Sequence, residues 1–238
     1  MPLPDDPEAG STSPGCSHCA LPLSRRQALA ATAVGLFGFL GARSAAAQSA
    51  LSPDAALDQL MGGNARFVGG NLTSFEEDLT ILKQKTVAKQ EPFAAVLSCA
   101  DSRVPVELVF DQSIGHLFVC RVAGNVCTPE MIASLEYGAV VLGVPVIMVL
   151  GHDGCGAVKA GIDAKPAPGQ ISALYAPLRP AIERAGPDLT ATVKANAQIQ
   201  AGLLRAASPA IAALVAGGKM KVVAAYYDLA SGKVTLLG

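Results

Sequence analysis

Short apolar runs that alternate with helical segments constrain the fold of this chain more than any other feature. Three of them are FAAVLS (93–98), LFVCRV (117–122) and VPVIMVL (144–150), and a final run, KVVAAYYD (221–228), turns back through LASGK into VTLL. Strands that are apolar on both faces and alternate with helices are typical of a parallel sheet covered on both sides. The sequence therefore predicts an α/β fold with a mainly parallel central sheet flanked by helices and an antiparallel edge strand at the C-terminus.

Helix signals fill the segments between these strands. Ser52 and Pro53 are typical of an N-cap and a first helical residue, and Pro129 is predicted to start a helix over 129–143. After the first of these signals, residues at helical spacing form a mainly apolar stripe, interpreted most simply as core: Leu57, Leu60, Met61, Asn64, Phe67 and Val68. The segment 170–216 is predicted to be mostly helical, with breaks at four prolines: Pro177, Pro180, Pro187 and Pro209.

Residues 1–47 are predicted to be a polar leader followed by an export signal that is cleaved off. Arg25 and Arg26 precede an apolar stretch over 28–42, and three alanines ending at Ala47 provide an A-x-A cleavage site. The arginine pair resembles a twin-arginine signal, which predicts an exported, periplasmic protein. An uncleaved anchor and a general secretory signal are the alternatives. The apolar stretch of 15 residues is short for a membrane span, so none is expected in the mature protein.

The remaining residues, 48–238, are predicted to form a single domain, because a chain of 238 residues with 51% hydrophobic residues can bury a sizeable core. The formal net charge of −1 gives no electrostatic footprint for nucleic acid or an anionic membrane. Cys16 and Cys19 are interpreted as an incidental pair in the leader.

Three residues with metal-binding side chains follow predicted strands. Cys99 follows the first strand, and GHDGCG (151–156) places His152 and Cys155 directly after the third. Sites in open parallel sheets form at the carboxyl ends of the strands, and right-handed crossovers can bring the first and third strands side by side. Two thiolates and an imidazole are a good ligand set for zinc, with a fourth position left for water. With Cys99 at a neighbouring strand end, the sequence favours one Zn²⁺ per chain at this crevice over the alternative, a turn with incidental residues.

The segments around these residues resemble a known family. CADSRV (99–104) and GHDGCG (151–156) are similar to the C-x-D-x-R and H-x-x-C motifs of the β-class carbonic anhydrases, as are HLFVCR, SLEYGAVVLGV and YYDLASGKV elsewhere in the chain. The resemblance implies that Cys99, His152 and Cys155 hold zinc. It also implies that Asp101 and Arg103 form the family's catalytic aspartate–arginine pair beside the metal.

The same resemblance extends to substrate, subgroup and assembly. It implies that Gln90, Phe118, Tyr137 and the backbone N–H of Gly156 line the CO2 pocket, and that the protein is a homodimer or a higher even oligomer. The chain contains no tryptophan, a residue often used in the second anion site of the bicarbonate-regulated subgroup, so the plant-like, open-site subgroup is favoured. The segment CRVAGN departs from the commoner arginine–asparagine start, which puts the shape of the pocket near 122–125 in doubt.

The function expected from this resemblance is the zinc-dependent, reversible hydration of CO2 to bicarbonate and a proton. Asp101 is expected to orient the attacking water-derived group, and Arg103 to hold Asp101 away from the metal. A related hydrolase of CS2 or COS and a non-catalytic zinc-binding protein are the alternatives.

Four further residues near the predicted site receive structural interpretations. Cys120 and Cys127 are interpreted as small buried hydrophobes, with a disulfide as the alternative in an exported protein. Arg121 and Glu136 are interpreted as ion-pair partners near the site and are left out of the catalytic set.

Overall fold

A five-stranded sheet forms the centre of the fold in a computed structural model that describes residues 50–74 and 79–238. The strands are β1 (Ala94–Ser98), β2 (Leu117–Arg121), β3 (Val146–His152), β4 (Lys221–Tyr227) and β5 (Val234–Leu237). Their order in the sheet is β2-β1-β3-β4-β5, with the first four parallel and β5 antiparallel to β4. The predicted fold class is confirmed, and so is the prediction that the first and third strands lie side by side.

Helices occupy the segments between the strands. In chain order they are α1 (Pro53–Val68), α2 (Leu79–Thr86), α3 (Val106–Val109), α4 (Pro129–Glu136), α5 (Gly156–Asp163), α6 (Tyr175–Ala185), α7 (Leu189–Ala207) and α8 (Pro209–Ala216). Two short 3₁₀ segments, Ala123–Asn125 and Ile171–Leu174, and a π-helical segment, Tyr137–Val141, complete the regular structure of residues 50–74 and 79–238.

The two faces of the sheet bury separate apolar layers. Every residue of β1 and β3 is buried, as expected for central strands covered on both sides. Because side chains alternate along a strand, Leu97 packs in one layer with Leu204 of α7, whereas Val96 packs in the other with Leu60 of α1. Burying each leucine contributes roughly 1.5–3 kcal/mol. The α1 stripe is therefore core around Leu60, while its last residue, Val68, is exposed.

Three helices begin with the same pair of residue types. Ser52 caps α1 by accepting a hydrogen bond from the Ala55 N–H, and Pro53 is the first helical residue. Thr128 with Pro129 begins α4, and Ser208 with Pro209 begins α8 in the same way. A proline at this position costs no intrahelical hydrogen bond, because the first N–H of a helix has no intrahelical partner. The predicted starts at Pro53 and Pro129 are confirmed.

The structure differs from two sequence predictions about the helices. The helix predicted over 129–143 changes at Tyr137 into a π-helical turn, closed by a hydrogen bond from Leu142 N–H to Tyr137 O. Pro177 and Pro180 do not break the chain, because both lie inside α6. Pro177 is the third residue of that helix, where the N–H is unpaired anyway, and Pro180 costs only one intrahelical bond.

The predicted leader and export signal, with Cys16 and Cys19, lie outside the described residues. Within residues 50–74 and 79–238, no single helix is long and apolar enough to cross a membrane. The consecutive helices α7 and α8 reach that length and composition only together, and they are bent by 97°.

Candidate metal centre

Cys99, His152 and Cys155 converge at the carboxyl ends of two neighbouring strands. Cys99 follows β1 directly, His152 is the last residue of β3, and Cys155 is the N-cap residue of α5. β1 and β3 are parallel with Ser98 opposite Leu150, so both strands end at the same edge of the sheet. The potential ligand atoms of the three residues lie within 4.8 Å of one another, and all three residues are buried. The prediction that they share one crevice is confirmed.

The geometry of these three side chains fits a tetrahedral zinc ion. The Cys99 and Cys155 sulfurs are 3.9 Å apart, and two zinc–sulfur bonds of about 2.3 Å at a tetrahedral angle would separate them by about 3.8 Å. His152 Nδ1 lies 2.8 Å from the Asp153 carbonyl oxygen, so Nδ1 carries the ring proton and Nε2 keeps a lone pair. That Nε2 is buried and has no hydrogen-bond partner among the described residues. A buried polar atom without a partner is costly, and a zinc ion would satisfy it.

The two sulfurs also influence each other's protonation. The hydrogen bond with Cys155 lowers the pKa of Cys99 well below its usual value, and the same contact raises the pKa of Cys155. Once one of the two cysteines is ionised, ionising the other is unfavourable, because two buried thiolates side by side would repel each other. Cys99 and Cys155 could both ionise if they held a divalent cation, because its charge would offset that repulsion.

Glycines shape the turn that carries His152 and Cys155. Gly154 has a φ of +61°, a left-handed conformation that L side chains rarely adopt. A Cβ on Gly151 would lie 2.9 Å from Val193 Cγ1, so a larger residue would force β3 or α7 to shift. The turn delivers Cys155 to the N-terminus of α5, where the N–H groups of the first helical turn favour a thiolate.

Asp101 and Arg103 form a bidentate ion pair beside the cluster. Arg103 Nε and Nη2 donate to the two carboxylate oxygens of Asp101 at 2.9 and 2.8 Å, and Nη2 also donates to the Gly154 carbonyl at 3.2 Å. The guanidinium of Arg103 holds the pKa of Asp101 well below its usual range, so the carboxylate is ionised. Asp101 Oδ2 lies 3.9 Å from His152 Nε2, close enough for the carboxylate to interact with a group bound at the metal.

Comparison with known proteins identifies the family. A carbonic anhydrase family model matches residues 94–234. The chain is 38% identical over 196 residues to a carbonic anhydrase from Mycolicibacterium smegmatis, an alignment that covers 78% of this chain and 93% of that protein. A solved structure of the Coccomyxa β-carbonic anhydrase in complex with acetazolamide is 27% identical, with a TM-score of 0.61 over 76% of this chain and 86% of the other. The chain belongs to the β-class carbonic anhydrase family.

The fold of this carbonic anhydrase matches more distant members too. A β-carbonic anhydrase from Sordaria macrospora superposes with a TM-score of 0.63 at 19% identity, covering 76% of this chain and 96% of that one. At this level of identity the similarity concerns the fold alone.

Of the four residues predicted to line the CO2 pocket, the single chain brings only Gly156 to the metal ligands. Gly156 is the first residue of α5, directly after Cys155. Phe118 pairs with Ala95, four residues before Cys99, which places it roughly 13 Å back along the sheet at a rise of about 3.3 Å per residue. Tyr137 is close to Phe118, with ring centroids 6.3 Å apart. Gln90 is an exposed residue ahead of β1. Pocket-lining roles for these residues remain predictions.

Arg121, interpreted from the sequence as an ion-pair partner near the site, instead holds the loop that carries the first ligand by donating to backbone carbonyls. Its Nε donates to the Cys99 carbonyl at 2.9 Å and its Nη2 to the Asp101 carbonyl at 2.6 Å. Arg121 is the last residue of β2 and lies opposite Ser98, so it is well placed to hold the chain leaving β1. The pairing of these two strands was the only signal that could have indicated this role.

The remaining cysteines near the site lie within the apolar layer. Cys120 and Cys127 are buried and free, and burial raises the pKa of Cys127 to about 12. These observations agree with their interpretation as small buried residues. Glu136, interpreted from the sequence as an ion-pair partner, instead accepts a hydrogen bond from the hydroxyl of Ser208, the N-cap residue of α8, and so connects α4 to α8.

Proposed function

We propose that this protein catalyses the zinc-dependent, reversible hydration of CO2 to bicarbonate and a proton, a lyase reaction. The observation that carries the proposal is a three-ligand cluster with a carboxylate fixed beside it, Asp101 Oδ2 being 3.9 Å from His152 Nε2. A protein that only stores zinc needs the ligands but has no use for a carboxylate held at a set angle next to them. Membership of the β-class carbonic anhydrase family points to the same reaction.

The chain's residues divide the work between holding the metal and orienting the reaction. Cys99, His152 and Cys155 would hold one zinc ion, and zinc bound by three protein ligands lowers the pKa of a water molecule to about 7, which supplies a nucleophile at neutral pH. Asp101, kept ionised by Arg103, can only accept a hydrogen bond. It therefore orients the attacking group by accepting its remaining O–H.

Space for a small substrate lies next to the first turn of α5. A Cβ added to Gly156 would meet no atom within 4 Å, so there is open space beside this residue on the side where a side chain would lie. N–H groups at a helix start favour negative charge, which CO2 develops on its oxygens during attack.

Stopped-flow measurement of CO2 hydration by the purified zinc-loaded protein tests this proposal. We expect hydration far faster than in buffer alone, and loss of that acceleration when zinc is removed. Turnover of CS2 or COS without CO2 hydration would instead assign the protein to the related hydrolases. A zinc-loaded protein that turns over none of the three would be a non-catalytic zinc-binding protein.

We also propose that the protein belongs to the plant-like, open-site subgroup. Two side-chain hydrogen bonds from Arg103 and one from its backbone N–H engage Asp101, which favours a carboxylate that faces a bound group over one that binds the metal. The absence of tryptophan from the sequence is consistent with this subgroup.

We propose that the protein assembles as a homodimer or a higher even oligomer. Tyr137, Val140 and Val141 are 47%, 48% and 44% exposed in the π-helical segment, and β2 is an edge strand of the sheet. Exposed apolar patches and open strand edges are typical of contact surfaces. The related Sordaria macrospora enzymes are tetrameric.

Val140→Lys is expected to weaken this assembly, because it places a charge in the apolar patch. Sedimentation velocity should show an even oligomer for the mature protein and smaller species for the variant. Val87→Lys is the matched control, since Val87 is 83% exposed and lies outside the patch. An active wild-type monomer of about 20 kDa, the mass left after removal of the leader, would contradict the proposal.

We propose that the protein is exported to the periplasm through a twin-arginine signal in residues 1–47. Replacing Arg25 and Arg26 together by lysine is expected to leave folded enzyme in the cytoplasm, because this route depends on the arginine pair. Cell fractionation followed by immunoblotting measures the distribution. Undiminished periplasmic protein from the double variant would show that another route is used.

A further inference from the structure

A buried chain of hydrogen bonds links the Cys99 sulfur to helix α7. The Gly124 N–H donates to Cys99 Sγ at 3.3 Å, and the Gly124 carbonyl accepts from Asn196 Nδ2 at 2.8 Å. Asn196 is completely buried, so water does not compete for these bonds. A side chain on α7 is thus connected to a metal-ligand sulfur through one glycine residue.

Gly124 depends on outside contacts for its orientation. Its φ is +77°, a left-handed conformation that glycine adopts freely and other residues rarely do. Because glycine constrains the peptide groups on either side of it only weakly, the N–H directed at Cys99 needs an anchor. Two contacts provide it: the Asn125 N–H donates to the Val122 carbonyl at 2.9 Å and closes the turn, and the Asn196 side chain donates to the Gly124 carbonyl at 2.8 Å from the side of α7.

The orientation of the Asn196 amide follows from its neighbours. The Cys127 backbone N–H can only donate, so the Gln200 atom that it contacts at 2.8 Å must be the oxygen Oε1. Gln200 Nε2 is then the donor to Pro177 O and to the Asn196 oxygen, each at 3.1 Å. The Asn196 nitrogen is left to donate to Gly124. The network allows only this arrangement of both amides.

We propose that Asn196 is a positioning residue for the metal centre, which holds the Gly124 N–H on the Cys99 thiolate. A hydrogen bond to a ligand sulfur stabilises the thiolate, which is the form that binds a metal, and loss of such a partner typically costs about 10–100-fold in metal affinity. Asn196 therefore sets both the position of Cys99 and its donation to the metal. This inference rests on the proposed function only in requiring a metal ion at the three ligands, and it is independent of the substrate.

Asn196→Leu tests the proposal, with Asn64→Leu as the matched control. Leucine is close to asparagine in size but cannot donate to the Gly124 carbonyl. Asn64 is a similarly buried amide that donates to backbone carbonyls of Val109 and Gly232 instead. Both proteins are loaded with Co²⁺, and the thiolate-to-cobalt charge-transfer band and the Kd for Co²⁺ against a competing chelator are measured.

In Asn196→Leu we expect the charge-transfer band to move to lower energy and the Kd to rise about 10–100-fold. In Asn64→Leu we expect a lower Tm, with the band and the Kd unchanged. Equal effects of the two substitutions, or no effect of Asn196→Leu, would overturn the proposal.

A measurement on the wild-type protein covers the case in which a variant does not fold. With an NMR-active cadmium isotope in the site, the Gly124 amide proton should show scalar coupling to the metal through the N–H···S bond. Absence of that coupling would overturn the proposal. A protein with the expected coupling and cobalt band but without CO2 hydration would support this inference and contradict the proposed function.

Discussion

Replacing Cys155 with serine is expected to remove zinc from the protein and to abolish CO2 hydration. Cys155 is fully buried with its sulfur 3.9 Å from that of Cys99, so the change exchanges one of two thiolates for a neutral hydroxyl. Serine is a poor zinc ligand because it stays protonated at neutral pH. The loss of affinity should exceed the roughly 10–100-fold effect of removing a partner outside the ligand set. Elemental analysis and stopped-flow hydration measure the two effects.

Cys127→Ser is the matched control for this experiment. Cys127 is also buried, but its sulfur donates to the Gln200 carbonyl at 3.4 Å, a bond that a serine hydroxyl can replace. The control should keep both zinc and activity. Full zinc occupancy in Cys155→Ser would remove this residue from the metal site.

Arg103→Ala is expected to leave zinc bound while reducing CO2 hydration about 10²-fold or more. Without its two hydrogen bonds from Arg103, the Asp101 carboxylate is free to turn toward the metal, and a carboxylate there would occupy the position that water needs. Stopped-flow rates and metal content, measured on the same preparation, separate loss of catalysis from loss of zinc.

Two further variants define the role of the pair. Arg103→Lys keeps the positive charge but loses the planar group that donates two hydrogen bonds. Its rate of CO2 hydration should therefore lie between those of the wild type and Arg103→Ala. Asp101→Asn should also keep zinc and lose activity. The amide replaces one carboxylate oxygen by an N–H donor, so the side chain no longer acts only as an acceptor for the nucleophile. Near-normal hydration by zinc-loaded Arg103→Ala would show that the ion pair has no such role.

The strands and the ligand set were predictable because the interactions behind them are local or repetitive. Continuous apolar runs indicated β1 and β3, whose residues are buried throughout, and the parallel arrangement then brought Cys99 beside His152 and Cys155. The π-helical turn at Tyr137 was not predictable, since its residues, YGAVV, include no proline or other residue type that would mark a change in the helix.

The contacts that support the ligands were not predicted from the sequence, for a different reason. Arg121 and Asn196 act on backbone carbonyls, which carry no residue-type signal, and Asn196 lies 72 residues from the glycine that it contacts. Pro180 shows the opposite error: a strong local signal for a helix break was overridden by the packing of α6, where Leu178 and Ala181 are buried.

Because the ligands lie at the ends of two paired strands, the stability of the folded protein depends on the concentration of zinc. Cys99 and Cys155 are 56 residues apart in sequence and approach each other because β1 and β3 pair in the folded chain. Zinc therefore binds the native state in preference to the unfolded one. By mass action, free zinc at one hundred times its Kd adds about 2.7 kcal/mol to the free energy of unfolding. That is a sizeable share of the roughly 5–15 kcal/mol that holds a typical domain together. In a zinc-poor compartment, more chains would be unfolded at any moment and open to proteases.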